Sequence, residues 1–570
     1  MIKSGYAFFL VLLVALLFAE GAHAQSGNQN TLLPEIDPQD IEIRSEFRAR
    51  FPGLRRQPIL GFNPRPRVFQ IDPNRLPFME TRDQVVANVP VSQLSRPLPP
   101  LQSVIGIPER YNGFVKAGFG SFITPEIEGF YTHQLNNQSL LSSALDYRSS
   151  DGHLDDQASG FRFLKWDAEY ITKPSKDLLV SARTSVNSDF NNLFDPSPQF
   201  NLGSTPTNEY LGLNGKVSIK KIKNALESWK LEFDAGLFAV DLNAGGSTLT
   251  GEVNEQYIRG TFESRWVGSR LNETYGIKGY AKAGQFETTL TNAQSWADVK
   301  AAFVYNRLID YSTRIEAEGG VQYISDGINN NIYIAPRLSI THSLKETLEI
   351  KGTGYGAPEL KTIQDHYQAN RFLGFNNALR QTYTIGATGE IALTALDGNR
   401  IFGGVNYEFI NNYNFYQRGV ATLINQVNTF YTINSGDASI FKIYAGISQQ
   451  LVPQKFWFDA QAYVRSPRLS GGGGDIPFEE RLGINGAVSF KPSSKVLLES
   501  WVDYVGKRED PLSTTDLSAF FLVNFKIEAE IAKNFGAYAK ALNLLDEDYE
   551  VWQGYTERSA QFFVGITYKF

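Results

Sequence analysis

Histidine, cysteine and closely spaced carboxylates are the residues from which a metal or nucleophilic centre is usually built, and this sequence offers few of them. It has 5 His and no Cys. His23 falls in an amino-terminal leader, His133 and His342 fall near strand ends, and His153 and His366 fall in connections, so no pair has metal-ligand spacing. His153 with Asp151, Asp155 and Asp156 reads as a solvated acidic loop. The run Gly471-Gly472-Gly473-Gly474-Asp475 lacks the Lys and following helix that a phosphate cradle requires. No catalytic residue, metal site or cofactor is predicted, and the chain is not expected to be an enzyme.

Two other sets of residues suit ligand contact. Tyr413, Phe415, Tyr416, Trp552 and Tyr555, in long connections, could stack on sugars or aromatic solutes, although the same residue types form the interface belts of membrane barrels. Arg314, Glu316, Glu318, Arg337, Asp459 and Arg465 lie inside runs that alternate with apolar residues. Arg or Lys facing lipid at the midplane costs about 2 to 4 kcal/mol, so these charges are expected to point into a polar lumen.

The elements that must position these residues are strands, because side chains alternate faces along them. Between Arg314 and Ile324, Arg314, Glu316, Glu318 and Gln322 oppose Ile315, Ala317, Gly319, Val321 and Tyr323. The same division recurs at Ile332 to Ile340, at Phe456 to Arg465 and at Leu178 to Val186. In the last ten residues, Phe562, Val564, Ile566, Tyr568 and Phe570 share one face against Gln561, Thr567 and Lys569. This ending resembles the terminal assembly signal of Gram-negative outer-membrane barrels, and implies handling by the barrel assembly machinery.

About twenty-two such segments run from Asn112 to Phe570. Their links are expected to alternate strictly between short ones, such as Asn136-Asn137, Val452-Pro453-Gln454 and Ala532-Lys533, and long ones, such as Asn187 to Glu209, Gly356 to Leu379 and Asn411 to Asp437. Short turns on one side and long loops on the other predict an all-β, transmembrane antiparallel barrel of the outer-membrane type, of about 22 strands, with both termini periplasmic. Composition agrees. Aromatics make up 13% and Gly numbers 49, while mean hydropathy is -0.26 with no second long apolar segment, which excludes a helical membrane protein. The net charge of -6 points to no nucleic-acid partner.

The stretch Leu542-Asn543-Leu544-Leu545-Asp546, with Tyr549, Gly554-Tyr555 and the strand Phe562 to Phe570, resembles the carboxyl-terminal end of TonB-dependent outer-membrane receptors. The resemblance implies capture of a scarce solute on outer loops and passage through the lumen, driven by TonB. Physically the motif reads as a loop brace: Asn543 and Asp546 are turn formers, and Tyr549, Trp552 and Tyr555 suit packing over the barrel mouth.

The amino terminus departs from that family. Lys3, the apolar run Tyr6 to Ala19 and the triplet Ala22-His23-Ala24 predict a signal peptide over 1–24. Residues 25–110 hold 13 of the 25 Pro and 11 Arg but no Lys, and read as an extension too short and Pro-rich for the usual plug domain. Asp83-Gln84-Val85-Val86-Ala87 faintly resembles a TonB-binding stretch. The barrel then occupies 111–570. So wide a lumen needs closure, by the Pro/Arg extension, by loops folding inward, or by a separate plug or periplasmic protein. Two functions follow: uptake of a scarce solute, or a scaffold or conduit working with such a partner.

Overall fold

A computed structural model describes residues 112–570, except 155–157, 194–205, 224–226, 244–249, 271, 290, 375–376, 397–398, 419–430, 454, 473 and 510–515. The signal peptide, the Pro/Arg extension, the Asp83 to Ala87 string and the Asp155 and Asp156 carboxylates lie outside the described residues.

The described chain forms a closed antiparallel barrel of 22 strands. Each strand pairs with its sequence neighbours, and the first, Gly113–Gly120, closes against the last, Gln561–Lys569. One strand is interrupted: Asn330–Ile334 and Arg337–Lys345 both pair with Thr313–Ser325, separated by Ala335 and Pro336. Pro336 has no N–H to place in the ladder, so the run that alternates cleanly in the sequence is broken there.

The alternation sorts chemistry between the two faces. Phe233, Ile258, Ile332 and Val564 are 61%, 68%, 73% and 66% exposed on the outer face, as an apolar surface facing acyl chains requires. The inner face carries ion pairs. Glu318 receives Lys278 and Lys300 at 2.7 and 3.0 Å, Glu232 receives Lys216 and Lys230 at 2.8 and 3.0 Å, and Asp167 receives Arg183 at 2.9 Å.

Connections at the end bearing Asn112 and Phe570 are short, as at 137–138, 176–177, 346–347 and 494–495. At the other end strict alternation fails. The links at 121–123, 289–290 and 326–329 are as tight as those opposite. Strands also run further than expected: Asn399–Arg418 has 20 residues and Tyr431–Val452 has 22, more than a tilted crossing of about ten needs. Tyr413, Phe415 and Tyr416 therefore lie on a strand rather than on a loop.

The closing seam is braced from inside. Tyr538 Oη donates to Glu126 Oε1 at 2.8 Å, and Lys540 Nζ donates to Glu126 Oε2 at 2.7 Å while lying 4.2 Å from the Phe563 ring centre. Lys116, on the first strand, sits 3.6 Å from Glu128 and 3.7 Å from Glu528. The Tyr538 side chain packs against Gly118 and Gly565, where a Cβ on either would collide with it. Replacing Glu126 with Ala removes the carboxylate shared by Tyr538 and Lys540, and is expected to cost about 2 to 4 kcal/mol, somewhat below a dry buried pair because the lumen side is wet. In a heat-modifiability gel the folded band should disappear at a lower temperature, with Glu126→Gln intermediate. An unchanged transition in Glu126→Ala would show that the seam does not depend on this network.

Candidate functional site

The connection 361–380 turns into the barrel mouth instead of away from it. Its helix, Ile363–Ala369, begins at a capping box: Asp365 Oδ2 accepts from the Thr362 backbone N–H and hydroxyl, both at 2.8 Å, and Thr362 Oγ1 accepts from the Asp365 N–H at 3.3 Å. The Gln364 N–H donates to Glu255 Oε2 on the barrel wall at 2.8 Å, so a carboxylate meets the electropositive end of the helix and fixes its position. Ile363 and Tyr367 then bury against Phe238, Val253, Phe286 and Ile324 of the inner wall. Each such side chain contributes roughly 1.5 to 3 kcal/mol by leaving water.

The last connection, 543–560, reaches in from a point eight strands further round the barrel. Asn543 and Asp546 adopt left-handed φ of 50° and 54°, which their short polar side chains tolerate. Asn543 Nδ2 donates to the Glu547 carbonyl at 2.8 Å, and Asp546 Oδ1 accepts from the Ala560 N–H at 2.8 Å. These bonds present the hairpin Glu550–Trp552 and Tyr555–Thr556, whose Val551 and Glu550 carbonyls accept from Arg508 at 2.9 and 2.5 Å. The two connections meet ring on ring. Phe372 stacks on Tyr555 with centroids 3.5 Å apart, and Trp552 packs edge to face with Tyr416 and Tyr431 at 5.4 and 5.2 Å. A continuous apolar cluster thus spans the mouth from wall to wall.

Of the aromatic residues singled out from the sequence, Tyr416, Trp552 and Tyr555 come together in this cap, with Trp552 8% and Tyr555 1% exposed. Tyr413 instead donates to Glu479 at 3.0 Å, and Phe415 lies beside Gly436. Among the charged set, Arg314, Glu316 and Glu318 share the face opposite exposed Val321 and Tyr323, and Arg337 is the cross-strand partner of Glu318. Arg465 binds Glu479 and Glu480, both at 2.5 Å, and so ties the connection 470–481 to the wall. Asp459 stands opposite Ala487 and Ser448 in the ladder.

Sequence reasoning missed the cap helix, although its Thr362-x-x-Asp365 box was the available signal. It also missed Glu255, whose partner is brought to it only by folding.

His366 illustrates what the cap environment does to a titratable group. Its Nδ1 lies 3.1 Å from Tyr416 Oη, and burial, with Lys361 adding and Asp365 opposing, pushes its pKa from 6.5 down to about 3. Between those values the unfolded cap holds a proton that the packed cap does not, so cap stability is complete above about 6.5 and falls as pH drops toward 3. Amide exchange over 363–373 is expected to quicken as pH is lowered from about 7 to about 5, after correction for intrinsic rates. His366→Phe should flatten that dependence; the same slope in the variant would assign it elsewhere.

A closed barrel of this strand number, with short turns at one end and an inward cap at the other, has the architecture of an outer-membrane receptor barrel. Solved structures share it. The FrpB iron transporter of Neisseria meningitidis aligns at TM-score 0.65 and 7% identity over 82% of each chain. FpvA of P. aeruginosa, solved bound to pyoverdines, aligns at 0.64 and 11% over 82% of this chain and 72% of that one. The ferric-catecholate import receptor Fiu of E. coli K12 aligns at 0.62 and 8% over 81% and 82%. No family model matches the chain and no curated protein resembles it in sequence. What is shared is the fold, which is that of the TonB-dependent receptors that the closing motif resembles.

Proposed function

We propose that the protein is an outer-membrane receptor that takes up a scarce solute, capturing it at the capped mouth and passing it down the polar lumen. The observation that carries this reading is the cap itself: two connections from separate parts of the wall meet in one apolar cluster above an inner wall lined with ion pairs. A passive pore has no need of a packed lid, whereas a receptor needs a closed state and a way to leave it. The exposed aliphatic outer face supports residence in lipid, with the ends at Asn112 and Phe570 and the short turns on the periplasmic side. Opening the cap takes work, for which TonB, reaching across the periplasm, is the proposed source; insertion would rely on the barrel assembly machinery.

The test compares cells with and without the chain, each with and without TonB, by mass spectrometry of solutes left in the medium. At least one solute should be depleted more slowly without the chain, and equally slowly without TonB. Identical depletion in all four strains would remove the uptake reading and leave a scaffold or conduit that works with a lumen-filling or periplasmic protein.

A further inference from the structure

Beside the cap, a narrow cleft is lined by His153, Asn191, Arg371, Tyr555, Thr556 and Arg558 among others. It gathers side chains from three separate connections and the wall between them. Two guanidinium groups face it. Arg371 sits 4.9 Å over the Phe372 ring and donates to Asn191 Oδ1 at 3.1 Å, while Arg558 sits 4.7 Å over the Phe161 ring. Stacking on a ring face holds a guanidinium without using its in-plane N–H donors. Among the described residues neither makes an ion pair within 4.0 Å, and the Arg371 Nε is buried without a hydrogen-bond partner. The inner-wall cations described above, by contrast, each have a carboxylate.

Among the described residues lining the cleft Glu557 is the one carboxylate, set against two guanidinium groups. Burial, together with the neighbouring Arg371 and Arg148 guanidiniums, lowers the Arg558 pKa to about 10 against the pull of Glu557 and Tyr549. Arg558 stays charged at neutral pH in a place that penalises the charge. His153 Nε2 donates to the Thr556 carbonyl at 2.9 Å, and burial lowers its pKa, so the ring adds no third cation.

We propose that this cleft binds a small oxyanion, the carboxylate or phosphate group of a solute, in the fork between Arg371 and Arg558. The inference rests on the uptake reading and names the chemistry of what is captured. An oxyanion supplies the acceptor that the buried Arg371 Nε lacks and a counter-charge for the Arg558 guanidinium, and relieves the repulsion between the two. The Ser159 hydroxyl and the Asn192 side chain at the same rim offer further polar contacts.

The test uses the full chain purified in detergent, titrated calorimetrically with inorganic phosphate and, separately, with citrate. At least one should bind saturably. Arg371→Gln and Arg558→Gln should each weaken it about tenfold or more, the loss of a charge-assisted hydrogen bond. Arg558→Lys should fall between, keeping charge but not the fork. Arg481→Gln, at an exposed Arg paired with Asp475 and Glu509, should bind as wild type. Folding of every variant is checked by heat modifiability. Saturable binding of neither probe, or equal binding in both Gln variants and wild type, overturns the site. Binding without solute depletion in cells would remove the uptake reading and keep the cleft; depletion without binding would do the reverse.

Discussion

Deleting Gln561–Phe570 is expected to eliminate the membrane-inserted, heat-modifiable protein altogether. This strand closes the barrel on both flanks, pairing with Gly113–Gly120 on one side and Phe535–Leu542 on the other. Its loss leaves two ladders of backbone N–H and C=O groups facing hydrocarbon, each unsatisfied group costing several kcal/mol, which no side-chain packing can offset. Phe570→Ala should be milder. The Phe570 backbone still exchanges bonds with Gly113 at 3.0 Å in each direction, and the change removes ring contacts with Tyr131 and Tyr568, both at 5.8 Å, worth roughly 0.5 to 1.5 kcal/mol each. Folded protein after the deletion, or none after the point change, would reverse this ranking and make the terminal ring a recognition signal first and a structural element second.

Replacing 363–379 with a short Gly/Ser linker should turn a nearly silent protein in planar bilayers into one with large, steady conductance steps. The argument is geometric. The helix, Phe372 and Leu373 fill the space between Phe238 and Phe286 on one wall and Trp552 and Tyr555 reaching from the other, so their removal leaves the hairpin without a partner to lean on. A barrel of this strand number is too wide for its inner side chains to meet across the lumen. If the variant stays silent, closure lies below the cap, and a second deletion of Gln25 to Arg110 decides between that segment and a separate protein. Wild-type protein that already conducts freely would show that the cap is no seal.

The strands were legible in the sequence because lipid and water impose period two on every crossing; Val321 and Tyr323 against Glu316 and Glu318 could hardly be read otherwise. Their ends were not. Above the membrane both faces of a strand meet water or protein, the alternation loses its cause, and Tyr413 to Tyr416 look like loop although they continue the ladder. The tight links at 289–290 and 326–329 escaped for the same reason, since a hairpin that projects past the bilayer needs no long loop. The cap was half legible. Asn543, Asp546 and the aromatics after them announced a braced loop, but nothing local told where the helix beginning at Ile363 would dock, and the convergence of Arg371 with Arg558 depends on strands far apart in the chain.

The inner wall bears on what an opened pore would do. Glu318 between Lys278 and Lys300, Glu232 between Lys216 and Lys230, and Glu528 between Lys116 and Lys526 all place opposite charges within 4 Å of one another. Glu318 and Glu232 each stand against two lysines, so these clusters lower the wall charge without cancelling it, and in so wide a lumen salt screens the remainder over a Debye length of about 8 Å at physiological salt. Reversal potentials measured across a salt gradient should therefore lie close to zero once the cap is gone. Discrimination between solutes would then belong to the mouth alone, with the shaft below acting as a wide, salt-screened passage.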